Sequence, residues 1–210
     1  MKRILLVGGG GHCRSVIDTI IKADVYEEIG IIDDNTCDYN GVLTIGNDDD
    51  IGRLHDEGWT DAFVTVGSIG DTTIRRRLYD MLREEGFNIP VIIDPTAVIA
   101  EDVVIEDGVF VGKGAIINSA CKIGKCAIIN TRAVIEHDCL VGAFAHISTG
   151  SILCGQTRVG DNTHIGAGSV VRQSVNIGND SLIGVGSVVV KDISDHVNGF
   201  GNPFKVRQSI

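Results

Sequence analysis

The sequence predicts an α/β domain followed by a parallel β-helix of hexapeptide repeats. From Ala97 to Asp192 an aliphatic residue occupies every sixth position, and a mostly small residue lies two positions earlier. Residues 1–95 lack this period and alternate short apolar runs with helical stripes. We therefore expect two domains, residues 1–95 and 96–210. The aliphatic series is Ile99, Ile105, Val111, Ile117, Ile123, Ile129, Ile135, Val141, Ile147, Leu153, Val159, Ile165, Val171, Ile177, Ile183 and Val189.

The period of six has a direct structural meaning. One hexapeptide cannot bury its aliphatic side chain alone, so three repeats are expected to form the three sides of a coil whose axis these side chains fill. Residues eighteen apart then lie above one another. Gly or Asn often follows the aliphatic residue, and both suit a corner because they tolerate a left-handed backbone. A helix needs a period near 3.6, and a sandwich of short strands is not expected to hold this phase.

Residues 1–95 are predicted to form a small Rossmann-like domain, a parallel sheet with helices on both faces. The predicted strands are Arg3 to Val7, Ile29 to Ile32, Ala62 to Val66 and Val91 to Ile93. The predicted helices are His12 to Ala23, Asp48 to Glu57, and one that Asp71 caps and Gly86 ends. Two of these helices carry apolar stripes, made of Val16, Ile17, Ile20 and Ile21 and of Ile74, Leu78 and Leu82.

A run of four glycines, Gly8 to Gly11, lies between the first strand and the first helix. Backbone N–H groups and a helix N-terminus at such a place can receive phosphate. Asp33 and Asp34 follow the second strand, where a carboxylate can hold a ribose or a base edge. A dinucleotide needs a fuller sheet, so a mononucleotide such as the UDP of a nucleotide sugar is favoured. A glycine turn without a ligand is the alternative.

The bulk composition excludes several classes of protein. The net charge of −10 disfavours a nucleic-acid or anionic-membrane surface. No apolar run reaches the ~20 residues that span a bilayer, and the apolar start is too short for a signal peptide. The six cysteines do not have the density of a disulfide scaffold, and Cys121 and Cys139, eighteen apart, are expected to be buried packing thiols. A cytoplasmic location is the simplest expectation.

Histidines interrupt the repeats at a few places. His137 stands between Glu136 and Asp138 at a corner, and an imidazole beside a carboxylate suits a general base. His146 and His164, eighteen apart, are expected to lie one above the other. An inert surface histidine is the alternative for each. A zinc site of three imidazoles is disfavoured by the spacings of nine and eighteen residues, so no metal is expected.

The two halves together resemble the PglD- and NeuD-type sugar acetyltransferases, which act on nucleotide-linked amino sugars. The resemblance covers essentially the whole chain, and its motifs are Gly8-Gly9-Gly10-Gly11-His12, Ile32-Asp33-Asp34, Gly67 followed by Arg75, Ala127-Ile128-Ile129-Asn130-Thr131, Ile135-Glu136-His137-Asp138-Cys139 and Gly201-Asn202-Pro203. It implies that the β-helix is left-handed, that acetyl-CoA is the co-substrate, and that the protein is a homotrimer with active sites between neighbouring coils.

The resemblance also assigns site residues. It makes His137 the general base, with Asp138 as the carboxylate that raises its basicity. The residues implied to contact acetyl-CoA are His146, Gly155 (a backbone N–H for the thioester oxygen), Ala167, Val185 and Lys205. The residues implied to bind the nucleotide sugar are Gly10, Gly11, His12, Asp33, Asp34, Asn35, Gly67 and Asn130. Asn35 and the residues after it differ from the family segment that contacts the base, and Phe204 stands where Ala is usual.

The resemblance implies N-acetylation of a nucleotide-linked amino sugar, with a UDP-4-amino-4,6-dideoxy sugar as the expected acceptor. Transfer to a sugar hydroxyl, as in sialic acid O-acetylation, would need much the same residues and stays an alternative. A scaffold trimer that binds nucleotide without catalysis is the second alternative, and the His137-Asp138 pair argues against it.

Overall fold

The computed structural model describes residues 2–209 and divides into two compact units. The first comprises the chain up to Ser68 together with Thr73–Pro95, and the second comprises Ile69–Thr72 and the chain from Thr96 onward. The short segment before the third helix thus clusters with the repeats rather than with the α/β unit. Within the described residues no helix is long and apolar enough to cross a bilayer.

The α/β unit contains short strands and three helices. The helices are α1 (Gly11–Ala23), α2 (Ile51–Asp56) and α3 (Thr73–Glu84), with a 3₁₀ turn at Asp48–Asp50. The strands are β1 (Arg3–Val7), β2 (Glu28–Ile32), β3 (Asp38–Tyr39), β4 (Val42–Gly46), β5 (Asp61–Val64) and β6 (Ile92–Ile93). Strands β1, β2, β4 and β5 run parallel, in the sheet order β3-β4-β2-β1-β5.

One prediction for this sheet is wrong. The strand expected at Val91 to Ile93 exists only as β6 and is not a member of this sheet, where β4 takes the fourth parallel place. A hairpin joins β3 to β4, and its turn residues Asn40 and Gly41 have φ of 56° and 82°. Two successive positive φ values define the turn that an Asn-Gly pair favours, so the signal was present in the sequence.

The predicted helical stripes are largely confirmed. Val16, Ile17 and Ile20 of α1 are buried, as are Leu78 and Leu82 of α3. Ile21 and Ile74 are exceptions, 48% and 56% exposed. Each lies at the edge of its stripe, because successive residues are rotated by about 100° around a helix. Arg75 occupies the buried face of α3 that Ile74 was expected to share.

The second unit is a three-sided parallel β-helix of two-residue strands, as the period of six predicts. The strands are β7 (Val98–Ile99), β8 (Val104–Ile105), β9 (Phe110–Val111), β10 (Ile116–Ile117), β11 (Lys122–Ile123), β12 (Ile128–Ile129), β13 (Val134–Ile135), β14 (Leu140–Val141), β15 (His146–Ile147), β16 (Ile152–Leu153), β17 (Arg158–Val159), β18 (His164–Ile165), β19 (Val170–Val171), β20 (Asn176–Ile177), β21 (Leu182–Ile183) and β22 (Val188–Val189), followed by the antiparallel pair β23 (Val197–Phe200) and β24 (Lys205–Ser209).

Every third strand of the coil pairs in register, so residues eighteen apart are neighbours. The first face contains β7, β10, β13, β16, β19 and β22; the second contains β8, β11, β14, β17 and β20; the third contains β9, β12, β15, β18, β21 and β23. The inward residues, such as Ile129 and Ile147, are fully buried. Cys121 and Cys139 also lie wholly in the interior, and the six cysteines are free thiols.

The glycines after the aliphatic residues have a different role from the one expected. Left-handed backbone occurs mostly at other residues three positions after the aliphatic one, such as Asp138 (φ 60°) and Gln156 (φ 62°). A Cβ at Gly142 or Gly160 would instead come within 2.5 or 2.6 Å of the backbone nitrogen of the next coil. These glycines are required by the close approach of successive coils, and the expectation of left-handed φ there is wrong.

Candidate active site

His137 and Asp138 form a hydrogen-bonded pair at the corner between the first and second faces. Nδ1 of His137 lies 2.7 Å from Oδ2 of Asp138. A carboxylate only accepts, so Nδ1 carries the proton and Nε2 presents a lone pair. Asp138 raises the pKa of His137, chiefly through this hydrogen bond. Both side chains are about half exposed, at 50% and 53%, so the basic nitrogen is accessible to a substrate.

Gly155 occupies the same corner one coil further on, and we call this line of residues the His137 corner. The amide of Gln156 donates to the carbonyl of His137, and the amide of Ser174 to that of Gly155. Gly155 is buried, and its amide N–H donates no hydrogen bond to any residue between 2 and 209. A groove of about 630 Å³ opens beside Asp138. Its lining includes Gln156, Ser174 and Arg158.

His146 lies on the third face and is held in one tautomer. The amide N–H of Thr131 donates to Oδ1 of Asn130 over 2.7 Å, which fixes the orientation of that side-chain amide. Nδ2 of Asn130 is then the atom 3.0 Å from Nε2 of His146. Since Nδ2 only donates, Nε2 of His146 accepts, and its ring proton is on Nδ1.

Two of the other residues predicted to contact acetyl-CoA, Ala167 and Val185, share a second line of residues, the Asn130 corner, between the third and first faces. Thr131, Thr149, Ala167 and Val185 lie one above another there, because each successive coil hydrogen-bonds to the carbonyl of the coil before it. Ala167 is exposed and Val185 is 75% exposed. The exposed Lys205 begins β24, which extends the third face through β23.

The two corners are separated within one chain. Strand β13 of the first face lies between Asn130 and His137, so the Asn130 corner and the His137 corner occupy opposite edges of that face. The structure thus brings together Asn130, His146, Ala167 and Val185 at one edge and His137, Asp138 and Gly155 at the other. A single β-helix does not combine the two sets.

The glycine loop of the α/β unit has open space at its end. Gly10 is the N-cap residue of α1 and Gly11 is its first residue, and a Cβ at either would meet nothing within 4 Å. Gly10 provides no side-chain cap, so the helix N-terminus is available to a phosphate. Tyr39 Oη donates to the carbonyl of Gly9 over 2.6 Å and holds the loop from the hairpin.

Asp33, predicted to bind the substrate, is engaged by its own chain. Its Oδ2 accepts from the amide of Gly9 at 2.7 Å, and its Oδ1 accepts from the amide of Asn35 at 2.8 Å. These backbone hydrogen bonds lower the pKa of Asp33. Its observed contacts therefore hold the loop and the strand end together. Asp34 and Asn35 beside it are exposed.

His12 and Gly67 lie close together beside the helix N-terminus. A Cβ at Gly67 would be 3.7 Å from Cβ of His12. Burial, and then the positive charge of Arg75, lower the pKa of His12 to about 4, so His12 is neutral near pH 7. The buried Arg75 donates to Oγ of Ser68 over 3.2 Å.

No group of three or more His, Cys, Asp or Glu within residues 2–209 is arranged to hold a metal ion.

Comparisons with known proteins agree with both units. The family model of the PglD N-terminal domain matches residues 3–82, and that of the hexapeptide repeat of succinyl-transferase matches residues 156–191. Perosamine N-acetyltransferase from Caulobacter crescentus, solved with CoA and GDP-perosamine as a variant with one histidine replaced by asparagine, is 36% identical. It superposes with a TM-score of 0.94, over 99% of this chain and 98% of that chain.

Two further solved structures are similar. The acetyltransferase domain of PglB from Neisseria gonorrhoeae, in complex with acetyl coenzyme A, is 33% identical, with a TM-score of 0.90 over 98% of this chain and 99% of that chain. WeeI from Acinetobacter baumannii, at 22% identity and a TM-score of 0.86 over 99% of this chain and 100% of that chain, shares the fold. The chain belongs to the sugar acetyltransferases of the hexapeptide-repeat superfamily. It is an acetyltransferase that uses acetyl-CoA as its donor.

Sequence reasoning missed three residues at the edges of this sugar acetyltransferase's candidate sites. Arg14 stacks over the ring of Tyr39, with its guanidinium carbon 4.3 Å from the ring centroid, beside the glycine loop. Tyr39 belongs to the hairpin of β3 and β4, which the sequence pattern did not predict. The sequence assigned His164 to no site, yet its ring lies directly against that of His146. Its spacing of eighteen from His146 was the available signal.

Proposed function

We propose that this enzyme transfers the acetyl group of acetyl-CoA to the amino group of a nucleotide-linked amino sugar, with His137 as the general base. The observation that carries the proposal is the 2.7 Å hydrogen bond between Nδ1 of His137 and Oδ2 of Asp138. It leaves Nε2 as the accepting nitrogen and provides a negative charge for the imidazolium that forms.

The mechanism is direct transfer in a ternary complex. Nε2 of His137 takes a proton from the sugar nitrogen while that nitrogen attacks the thioester carbon. The negative charge that develops on the thioester oxygen is stabilised by a backbone N–H donor, for which the amide of Gly155 is the candidate. The intermediate then collapses with loss of CoA as the thiolate, which is protonated by solvent or by His137.

A second copy of the chain completes the site in this proposal, because the two corners lie on opposite edges of one face. The outward residues of the first face support it, since they form an in-register apolar column that includes exposed side chains. Val98 is 63% exposed, and Ile116 and Ile152 are each 36% exposed. The column is Val98, Ile116, Val134, Ile152, Val170 and Val188. We propose a homotrimer in which the His137 corner of one copy meets the Asn130 corner of the next.

The nucleotide sugar is proposed to place its diphosphate at the N-terminus of α1, where Gly10 and Gly11 leave the space open. Neutral His12 and Gly67 adjoin this position. A UDP-4-amino-4,6-dideoxy sugar is the acceptor that the resemblance implies. The GDP-perosamine bound by the Caulobacter protein makes a GDP-linked amino sugar the first alternative to compare.

The test combines binding and turnover. Thermal shifts with UDP-, GDP-, dTDP- and CMP-linked sugars, each with and without acetyl-CoA, identify the nucleotide because a ligand of the folded state raises Tm. Steady-state release of CoA with matched amino and hydroxyl acceptors then identifies the nucleophile. Transfer to an amine that is lost in His137→Ala supports the proposal. Transfer only to a hydroxyl, or an active His137→Ala enzyme, contradicts it.

A further inference from the structure

The glycine loop that follows β1 is held at both peptide groups of Gly9. The amide of Gly9 donates to Oδ2 of Asp33 over 2.7 Å, and its carbonyl accepts from Oη of Tyr39 over 2.6 Å. Sγ of Cys37 lies 3.6 Å from the same carbonyl. A Cβ at position 9 would come within 2.7 Å of that sulfur, so this arrangement requires a glycine. The chain after β2 and strand β3 thus fix one residue of the loop.

The hydrogen bond to the Gly9 carbonyl also sets the direction of the next amide. The peptide between Gly9 and Gly10 is trans, and in a trans peptide the C=O of one residue and the N–H of the next point to opposite sides. The Gly10 N–H therefore points away from the Tyr39 hydroxyl, and it donates to no residue between 2 and 209. Glycines have the most backbone freedom to lose, so without this hydrogen bond the amide would sample many directions.

The ring of Tyr39 makes a second contact, with Arg14 of α1. The guanidinium carbon lies 4.3 Å from the ring centroid, within the range of a cation–π contact. Arg14 is exposed and pairs with no carboxylate between residues 2 and 209, although the chain carries a net charge of −10. Its guanidinium is therefore a positive charge beside the loop that an anionic ligand can use.

We infer that Tyr39 is a positioning residue for the nucleotide sugar, whose hydroxyl directs the Gly10 amide and whose ring places the Arg14 guanidinium. Both donors are fixed before the ligand arrives, so binding does not have to order them. A diphosphate reaches both donors at once, whereas a monophosphate reaches one of them. This role rests on the proposed function, in which the diphosphate of the acceptor lies at this loop.

The first test measures binding and needs no turnover. Isothermal titration calorimetry of the full chain with UDP, GDP and dTDP, and with the corresponding monophosphates, gives the dissociation constants. Tyr39→Phe removes the hydroxyl and keeps the ring, so Kd for the tightest diphosphate should rise by ~3-fold to ~10-fold, the usual effect of losing one hydrogen bond. Tyr39→Leu also removes the ring beneath Arg14 and should raise that Kd by ~10-fold to ~10²-fold.

Further variants separate the two contacts of Tyr39. Arg14→Met removes the charge and should raise Kd for the diphosphate by ~10-fold, and Arg14→Lys should recover most of this loss. The ratio of the monophosphate Kd to the diphosphate Kd should fall in Arg14→Met and in Tyr39→Leu. Tyr26→Phe is the matched control and should leave every Kd unchanged. It removes a hydroxyl whose hydrogen bond of 2.7 Å to Asp61 lies at the opposite end of the sheet.

The second test is kinetic and separates positioning from folding. In Tyr39→Phe, KM for the best amino sugar should rise, while kcat and KM for acetyl-CoA stay at their wild-type values. A hydroxyl that only stabilised the α/β unit would lower Tm without ligand and leave both KM values unchanged.

The outcomes distinguish this role from the proposed function. Wild-type Kd values for the diphosphate in Tyr39→Phe and Tyr39→Leu overturn the positioning role alone. An equal loss of affinity for monophosphate and diphosphate in Tyr39→Leu also overturns it, because the side chain then acts on the whole unit. A wild type that binds none of these nucleotides overturns the nucleotide-sugar acceptor, and the role of Tyr39 with it. An active His137→Ala enzyme overturns the proposed base instead and leaves the calorimetric result standing.

Discussion

Gly155 lies directly against the imidazole of His137, one coil further along the β-helix. A Cβ at position 155 would come within 2.6 Å of both Cε1 and Nε2 of that ring. Real Cβ atoms do not approach so closely, so any side chain at position 155 must displace the ring. The resemblance gave Gly155 a role through its backbone N–H. The structure adds that its missing side chain makes room for the proposed base.

Gly155→Ala should therefore displace His137 and lower kcat by about 10²-fold, because a shift of about 1 Å in a catalytic group costs rates of this order. Steady-state kinetics with acetyl-CoA and the best amino sugar measure it. Gly52→Ala is the matched control. Position 52 lies in α2 against the flexible end of Glu85, and alanine favours a helix there. A wild-type kcat in Gly155→Ala would show that catalysis does not depend on this position of the His137 imidazole.

Asp138→Asn should shift the acidic limb of the rate profile to lower pH. Asp138 raises the pKa of His137, so loss of its charge lowers that pKa and deprotonates the base at lower pH. The maximal rate should fall by ~10²-fold, because the imidazolium loses its carboxylate. Asparagine accepts the left-handed backbone of φ 60° at this position, so the corner should be retained.

Measurements of kcat/KM for the sugar between pH 5 and pH 9 report this limb on the free enzyme. The limb should vanish in His137→Ala along with the activity. An Asp138→Asn enzyme with the wild-type profile would show that a different group controls the limb.

The coil could be predicted from the sequence because each hexad repeats the same packing problem. Two features of it escaped prediction for physical reasons. The close approach at Gly142 depends on the distance between the backbones of successive coils, which periodicity does not give. The contact of Gly155 with His137 is of the same kind.

The α/β unit was predicted less well than the coil, because its hairpin and its glycine loop do not follow a regular sequence pattern. The Asn40-Gly41 pair indicates a hairpin turn. The strands on either side of it are short and partly polar, so hydrophobic periodicity did not predict them. The hydrogen bonds from the amides of Gly9 and Asn35 to Asp33 form only when the loop is folded. The sequence alone does not distinguish a carboxylate that binds a ligand from one that binds the backbone of its own chain.

Ile152→Arg should dissociate the proposed trimer. Ile152 stands in the middle of the apolar column of the first face, and a guanidinium there cannot be desolvated against another copy without a partner. Analytical ultracentrifugation should find a trimer for the wild type and a monomer for the variant, and the monomer should be inactive because the two corners no longer meet. Lys122→Glu on the second face is the control and should leave the trimer intact. A monomeric enzyme with full activity would contradict the shared site.

His12 should make stability depend on pH between about 4 and 6.5. Its pKa in the folded protein is lowered to about 4 by burial and by Arg75, against the ordinary histidine pKa of 6.5. In this range the unfolded chain binds a proton at His12 that the folded protein excludes, so the free energy of unfolding falls as the pH falls. The full effect is at most about 3 kcal/mol.

Unfolding by urea at several pH values, with His12→Gln beside the wild type, measures this pH dependence. The other titrating groups are common to both proteins, so the difference isolates His12. The variant should lose less stability between pH 6.5 and pH 4, and parallel curves for the two proteins would contradict a neutral His12.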